Sequence, residues 1–202
     1  MNTIEKPALA PMGQRIAETA AALFADRGYD SVSMREIADA VGIKAASLYN
    51  HYDDKEDLYR ASLEQALSER MARVNDATAS EGTTQERLLQ TLNALTFDEA
   101  QDAVTVKLLQ RELVSGDKDR HRWLTDHLFR SPFEEMTELF EEIARPGQGQ
   151  IIALHLCALT IGYSVLAPIF EQLDVPAYLT DPEELAQDIA ARLSTPTDEE
   201  ER

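Results

Sequence analysis

Apolar positions along the chain recur at three- and four-residue intervals, the spacing of one helix face, with no convincing strand pattern. Ile16, Ala20, Leu23 and Phe24 set out an amphipathic first helix that ends at Gly28. Ser33 opens a second unit. With Glu36 it forms an S-x-x-E capping box, and Ile37, Ala38 and Val41 make a short apolar stripe before Gly42. Glycine there lets the chain turn left-handed without a Cβ penalty. Ile43 and Leu48 then give another short helix an apolar foot against the one before it. Asp53 or Asp54 caps a long fourth helix, whose buried face runs through Leu58, Ser62, Ala66 and Met71. A polar break over residues 78–84 contains Gly82, and Thr83 with Glu86 offers a further capping box.

Two helices follow, over about 85–97 and 102–115, and Gly116 breaks the chain. The next helical stretch reaches Arg145. Within it, Ser131 and Glu134 read as an internal cap with Pro132 at the first helical position, and the pattern fits either a kink or a true break. Gly147 and Gly149 precede an apolar helix, and Asp181-Pro182 starts the last one. The fold class is all-α.

Ser33 to Lys55, SMREIADAVGIKAASLYNHYDDK, reads as a helix-turn-helix, the unit that lays a short helix into the major groove of DNA. Its apolar positions are used in packing, which leaves Lys44, Ala45, Ser47, Tyr49, Asn50 and His51 mostly outward. An αα-hairpin inside a bundle has the same spacing. Beyond that spacing, the sequence resembles the amino-terminal domain of TetR-family transcriptional regulators. The resemblance runs through Arg15-Ile16, Ala20-Ala21, Leu23-Phe24, Gly28-Tyr29, Ser33, Ile37-Ala38, Val41-Gly42-Ile43, Ser47-Leu48-Tyr49-Asn50-His51-Tyr52, Lys55 and Leu58. It covers roughly the first third of the chain, and the segment LYNHYDDKEDL is its most specific part. The rest resembles the family only in length and helical character.

The resemblance implies a TetR-like fold: a three-helix DNA-binding domain with the helix-turn-helix, followed by a helical ligand-binding and dimerisation domain. The head would occupy residues 12–57 and the body 58–195, between a flexible arm at 1–11 and a disordered tail at 196–202. It also implies a homodimer on a palindromic, double-stranded operator, most simply a repressor released by a small-molecule effector. A protein of the same fold controlled by a protein partner, or acting in chromosome organisation, is the alternative. The sequence carries no GxSxG, phosphate loop or dinucleotide fingerprint, so neither an enzyme nor a cofactor is expected. No Cys/His cluster supports a metal site.

The DNA-contacting set is Ser33, Arg35, Lys44, Ala45, Ala46, Ser47, Tyr49, Asn50, His51 and Lys55. Lys44, early in the recognition helix, can reach guanine O6 or N7, and Arg35 a base or a phosphate. Ser47, Tyr49, Asn50, His51 and Lys55 match family positions that often meet the phosphate backbone. Tyr49 could equally be half-buried between the first and fourth helices. Ala45 stands where the family frequently has a basic or polar residue, so Ala45 and Ala46 offer only small apolar contacts, as to thymine methyl groups.

Charge complicates this reading. The formal net charge is -18, yet residues 1–60 hold seven Lys or Arg against ten Asp or Glu, leaving -15 on the remainder. The acidity therefore sits mainly in the body, and few phosphates are neutralised per subunit. The single Cys157 lies in an apolar segment without a pairing partner, which fits a reducing cytoplasm, and the start of the chain lacks the pattern of a secretory signal. The expected location is the cytoplasm, at the nucleoid.

Residues 151–170, IIALHLCALTIGYSVLAPIF, contain no formally charged side chain and are long enough to cross a membrane. They include His155, Thr160, Ser164 and Pro168 and lack basic flanks, so no membrane is expected and the segment reads as a dimerisation helix. Its expected interface comprises Ile151, Leu154, His155, Ala158, Gly162 and Val165, with Leu185, Ile189 and Leu193 from the last helix. Aromatic or polar groups on the middle helices, Phe97, Gln110, Trp123, His127 and Phe133, are the candidate ligand contacts.

Overall fold

In the computed structural model of the chain, the described residues are 11–96, 99–144, 146–170, 172, 173 and 187. The arm at 1–10, the tail, Phe97, and the interface candidates Leu185, Ile189 and Leu193 lie outside them. Among the described residues all regular structure is helical: α1 (Met12–Arg27), α2 (Met34–Val41), α3 (Ala45–Leu48), α4 (Lys55–Thr78), α5 (Thr84–Leu95), α6 (Glu99–Ser115), α7 (Lys118–Leu124), a π-helical turn (Thr125–Phe129), α8 (Arg130–Ile143) and α9 (Gly149–Phe170).

The apolar faces read from the sequence close into two cores. The first gathers Ile16, Ala20 and Phe24 of α1, Ile37 and Ala38 of α2, Leu48 of α3 and Leu58, Tyr59 and Leu63 of α4. It also takes in Leu108 and Leu109 of α6 and Leu124 of α7, so the head is sealed against the body. The second unites Val74 of α4 with Leu88 and Leu92 of α5, Met136 and Phe140 of α8, and Ala153 and Leu156 of α9. The long α4 contributes to both. Of the two aspartates that could cap it, Asp54 does so, its Oδ1 accepting from the Asp57 amide at 2.8 Å. Asp57 answers by accepting from the Asp53 amide at 3.0 Å.

Ser131 is not a helix start. It lies inside α8, where its hydroxyl donates to Glu135 at 3.0 Å. Helix continues through Ser131-Pro132, and the irregularity falls just before it, in the π turn. Pro132 lacks an N–H and its ring crowds the carbonyl four residues back, Leu128, which lies within that wider turn. The proline is thus accommodated by a local change of helical pitch, not by a new N-cap.

α9 begins at a close approach. A Cβ on Gly149 would lie 2.5 Å from the Thr137 carbonyl oxygen of α8, so only glycine fits. Glu141 of α8 caps this end, accepting from the Gly149 amide at 2.8 Å and also from the Gly147 amide. Those two donors hold its carboxyl below the ordinary carboxylate range. Beyond this start, Ala153, Leu156 and Thr160 are buried, while Ile151, Leu154, His155, Ala158, Leu159, Val165, Leu166 and Ile169 are exposed. By length and composition α9 could cross a membrane, yet it packs along α8 and against α6.

Candidate nucleic-acid interface

The Ser33 hydroxyl accepts from the Glu36 amide at 3.2 Å while Glu36 accepts from the Ser33 amide at 2.8 Å, completing the capping box. The same hydroxyl donates to the Glu36 carboxylate at 2.7 Å, and these bonds hold the Glu36 carboxyl below its ordinary value. Glu36 is also 3.3 Å from Arg27. α2 ends at Gly42 in the left-handed conformation, φ 80 and ψ 32, and the Gly42 and Ile43 amides both donate to the Ala38 carbonyl, at 3.0 and 2.9 Å. That turn delivers Lys44 immediately before α3, a single helical turn that continues as non-helical turns through His51.

Packing holds this short element in place. Leu48 is completely buried against Ile37, Ala38 and the first face of α4. Tyr52 reaches across and donates its hydroxyl to the Gly13 carbonyl at 2.9 Å, tying the end of the recognition segment to the start of α1. The sequence supplied Tyr52 as part of the family resemblance, but its positioning role depends on a partner 39 residues away.

Arg35, Lys44, Ala46, Tyr49, Asn50 and His51 are all exposed. Tyr49 is 54% exposed, which removes the alternative of burial between α1 and α4. Ala45, Ser47 and Lys55 are half-buried. The Lys55 ammonium lies 4.3 Å from the centre of the Tyr29 ring, a cation–π contact that fixes its stem beside the head. Ser33 is exposed, but its hydroxyl already serves the cap. Several acidic groups of the segment have intramolecular tasks: Glu36 in its box and ion pair, Asp54 and Asp57 at the start of α4. Neither Arg35 nor Lys44 is in an ion pair among the described residues.

Behind the head lies a polar junction that sequence spacing did not reveal. Arg120 of α7 is buried and pairs with Glu112 of α6 at 3.0 Å, Asp117 at 3.0 Å and Glu56 of α4 at 3.2 Å. Its guanidinium also lies 5.0 Å from the Tyr29 ring centre and 5.1 Å from that of Tyr59. Burial, with Glu112 beside it, pushes the Tyr59 hydroxyl well above its ordinary value. Nearby, Arg111 of α6 donates to the Ala25 and Asp26 carbonyls at 2.7 and 2.6 Å, where α1 runs out of internal donors. Head and body are therefore joined by charge-assisted bonds as well as by the shared core.

The body encloses a cavity of about 720 Å³ between α4, α6, the π turn, α8 and α9, open to solvent along one side. Of the candidate ligand contacts, Phe133 lines it. Gln110 instead lines a shallower cleft at the head–body junction. Trp123 packs against the first core and stacks on His127, whose Nδ1 meets the Trp123 carbonyl at 2.9 Å, and neither lines the cavity. The lining that sequence reasoning missed includes Leu67, Met71, Met136, Cys157 and Thr160, ordinary core residues by pattern.

A short outward helix, seated on a capped partner helix by a sealed core and carried on a larger helical body, defines a two-part all-α protein of the helix-turn-helix class. Residues 16–62 match the family model of bacterial regulatory proteins, tetR family. The chain is 44% identical over 57 residues to the biofilm operon icaADBC HTH-type negative transcriptional regulator IcaR of Staphylococcus epidermidis. That match spans 28% of this chain and 31% of the relative's length. Two solved structures extend the likeness of fold to nearly the whole chain. A tetR-family bacterial regulatory protein from Rhodococcus RHA1 superposes with a TM-score of 0.72 at 23% identity, covering 94% of this chain and all of the other (100%). AibR in complex with isovaleryl coenzyme A and operator DNA gives 0.70 at 21% identity, covering 93% and 100%. Residues 16–62 are thus similar to the tetR family of bacterial regulatory proteins, and the chain as a whole shares the fold of the solved tetR-family regulator.

Proposed function

We propose that the protein is a homodimeric transcriptional repressor that binds a pseudo-palindromic operator through Lys44 to His51 and is released when a small molecule occupies the cavity between α4 and α9. The observation that carries this reading is the joining of an outward recognition segment to a cavity-bearing body through one continuous set of contacts. The cavity is of the size that small-molecule sites usually have. Its wall includes Thr125 and Phe129 of the π turn, which runs without a break from α7 and Arg120. A ligand that reshapes this wall would displace Arg120, and through Glu56 the start of α4 and the head. Couplings of this kind typically amount to about 1–3 kcal/mol.

The exposed apolar face of α9 supports self-association, and a two-fold dimer would present two recognition segments to half-sites about one helical turn apart. The same face would suit a partner protein, but a solvent-open apolar cavity has no use in that reading. Repression, as opposed to activation, is supported by the likeness of the head to a negative regulator.

Genome-wide mapping of bound DNA tests the proposal. The bound regions should share a pseudo-palindrome, and a Leu159→Glu/Val165→Glu variant should sediment as a monomer and lose that sequence. Binding without a palindromic motif, or unchanged operator binding by the monomeric variant, would refute the dimeric-repressor reading.

A further inference from the structure

The cavity has a definite polarity, set by what its polar side chains are already doing. Resting on the reading of this cavity as the effector site, we propose that it takes a hydrophobic ligand without negative charge and discriminates against carboxylates and acyl thioesters of coenzyme A.

Most of the lining is aliphatic, aromatic or thioether: Leu67, Met71, Leu109, Phe133, Met136 and Ile161 are representative. An anionic ligand needs a cation or several donors to replace its water shell. The cavity offers two guanidinium groups, and both are engaged. Arg70, almost wholly buried, donates to the Ala94 carbonyl at 2.9 Å and the Thr96 carbonyl at 2.5 Å and pairs with Asp102. Arg130 pairs with Asp126 one turn away.

The hydroxyls are committed as well. Thr125 donates to the His121 carbonyl at 2.9 Å, Thr137 to the Phe133 carbonyl at 2.8 Å and Thr160 to the Leu156 carbonyl at 3.0 Å. They keep acceptor capacity toward a ligand but have no proton left for one. Burial pushes the Cys157 thiol up, which keeps it neutral.

The remaining charges are both negative. Glu134 and Glu138 are exposed on the rim contributed by α8, and neither is in an ion pair among the described residues. With each arginine neutralised by its aspartate, the approach to the cavity carries an excess of two carboxylates. An anion meets like charge at the mouth, and the lining donors left to it, the Gln150 amide and the outer N–H groups of Arg130, are on exposed side chains that water already solvates. A neutral hydrophobe with one hydroxyl meets neither obstacle, since its own proton can go to the threonine oxygens. The fold shared with AibR, whose structure holds isovaleryl coenzyme A and operator DNA, therefore does not carry that ligand's chemistry with it.

The test uses the full-length protein and three ligands of one chain length: 1-decanol, decanoate and decanoyl coenzyme A. Calorimetry should show decanol binding at least about tenfold more tightly than either anion, a gap of roughly 1.4 kcal/mol. A Glu134→Gln/Glu138→Gln variant should narrow that gap several-fold, and Thr160→Phe, which fills the cavity, should abolish decanol binding while the protein stays folded by circular dichroism. Decanoate or its thioester binding as tightly as the alcohol would overturn the proposal. If that anion also released DNA, the sensor reading would stand and only the ligand class would fall. Decanol binding without any change in affinity for DNA would retain the ligand class and overturn the sensor reading. Binding of none of the three would overturn both.

Discussion

Lys44 and Lys55 carry the same charge in different surroundings. Lys44 is exposed at the entry to α3, with no stacking or ion-pair partner among the described residues, and its reach toward a base edge is unhindered. Lys55 lies on Tyr29 at the start of α4, where it can add charge near the backbone but has little freedom to search for a base. Lys44→Ala should therefore lower operator affinity more than affinity for random DNA, by the roughly 1–3 kcal/mol of a specific base contact. Lys55→Ala should weaken both alike. Parallel titrations on operator and scrambled duplexes separate the two, and a melting curve for Lys55→Ala accounts for the lost ring contact, about 0.5–1 kcal/mol at an exposed site. Equal losses for both variants on both duplexes would remove the distinction. Ala45 and Ala46 carry no polar side-chain group to offer a base edge, which is plain from residue type alone. Tyr52 was not legible as a strut, because its acceptor belongs to another helix.

Among the helices, those with strong local signals formed where the residue pattern placed them. The capping boxes at Ser33 and Thr83, the left-handed Gly42 and the Asp54 cap all bond to groups within four residues, so a sequence window contains the whole interaction. The α7–α8 segment behaved differently. Its Ser-Pro-x-Glu motif resembles a helix start, but core contacts of Leu124, Leu128 and Met136 keep the chain helical there, and the π turn absorbs the proline. The α9 cap offers a test at this scale. Glu141 titrates below its ordinary value in the folded chain, so its bonds to Gly147 and Gly149 contribute stability above the ordinary carboxylate range. That contribution is lost as pH falls through the lowered value. Glu141→Gln should be less stable than the parent at neutral pH, and the difference should shrink on acidification. Thermal unfolding across pH 3 to 7, on the order of the range where carboxylates titrate, checks it. A difference that stayed constant with pH would refute the assignment.

Across the whole molecule, the net charge of -18 is unusual for a chain proposed to bind DNA. The structure explains part of this, because acidic groups of the head are engaged in caps and ion pairs while Arg35 and Lys44 face outward. Few phosphates are neutralised, so the logarithm of operator affinity should fall shallowly with the logarithm of salt concentration. A slope of only about -2 to -4 per dimer is expected, set by a few phosphates at roughly 0.9 each. Filter binding at several salt concentrations measures it, and a slope near -10 would contradict the charge distribution.

By itself the sequence determined the helical class, the capped helix-turn-helix and the outward positions Lys44, Tyr49, Asn50 and His51, whereas Ala45 and Ser47, read as outward, are half-buried by packing. Each of these follows from contacts between near neighbours or from a simple apolar period. It also marked α9 as a helix with too few charges for an isolated surface element. Only the tertiary structure decided which side chains surround the cavity, since residues of α4, α6, α8 and α9 converge there from distant parts of the chain. The same holds for Arg120. Nothing near it in sequence marks Glu56 as its partner, yet their pairing joins the body to the head. Long-range pairing and enclosed volume depend on how whole helices pack, and a periodic pattern specifies which face is buried without specifying against what.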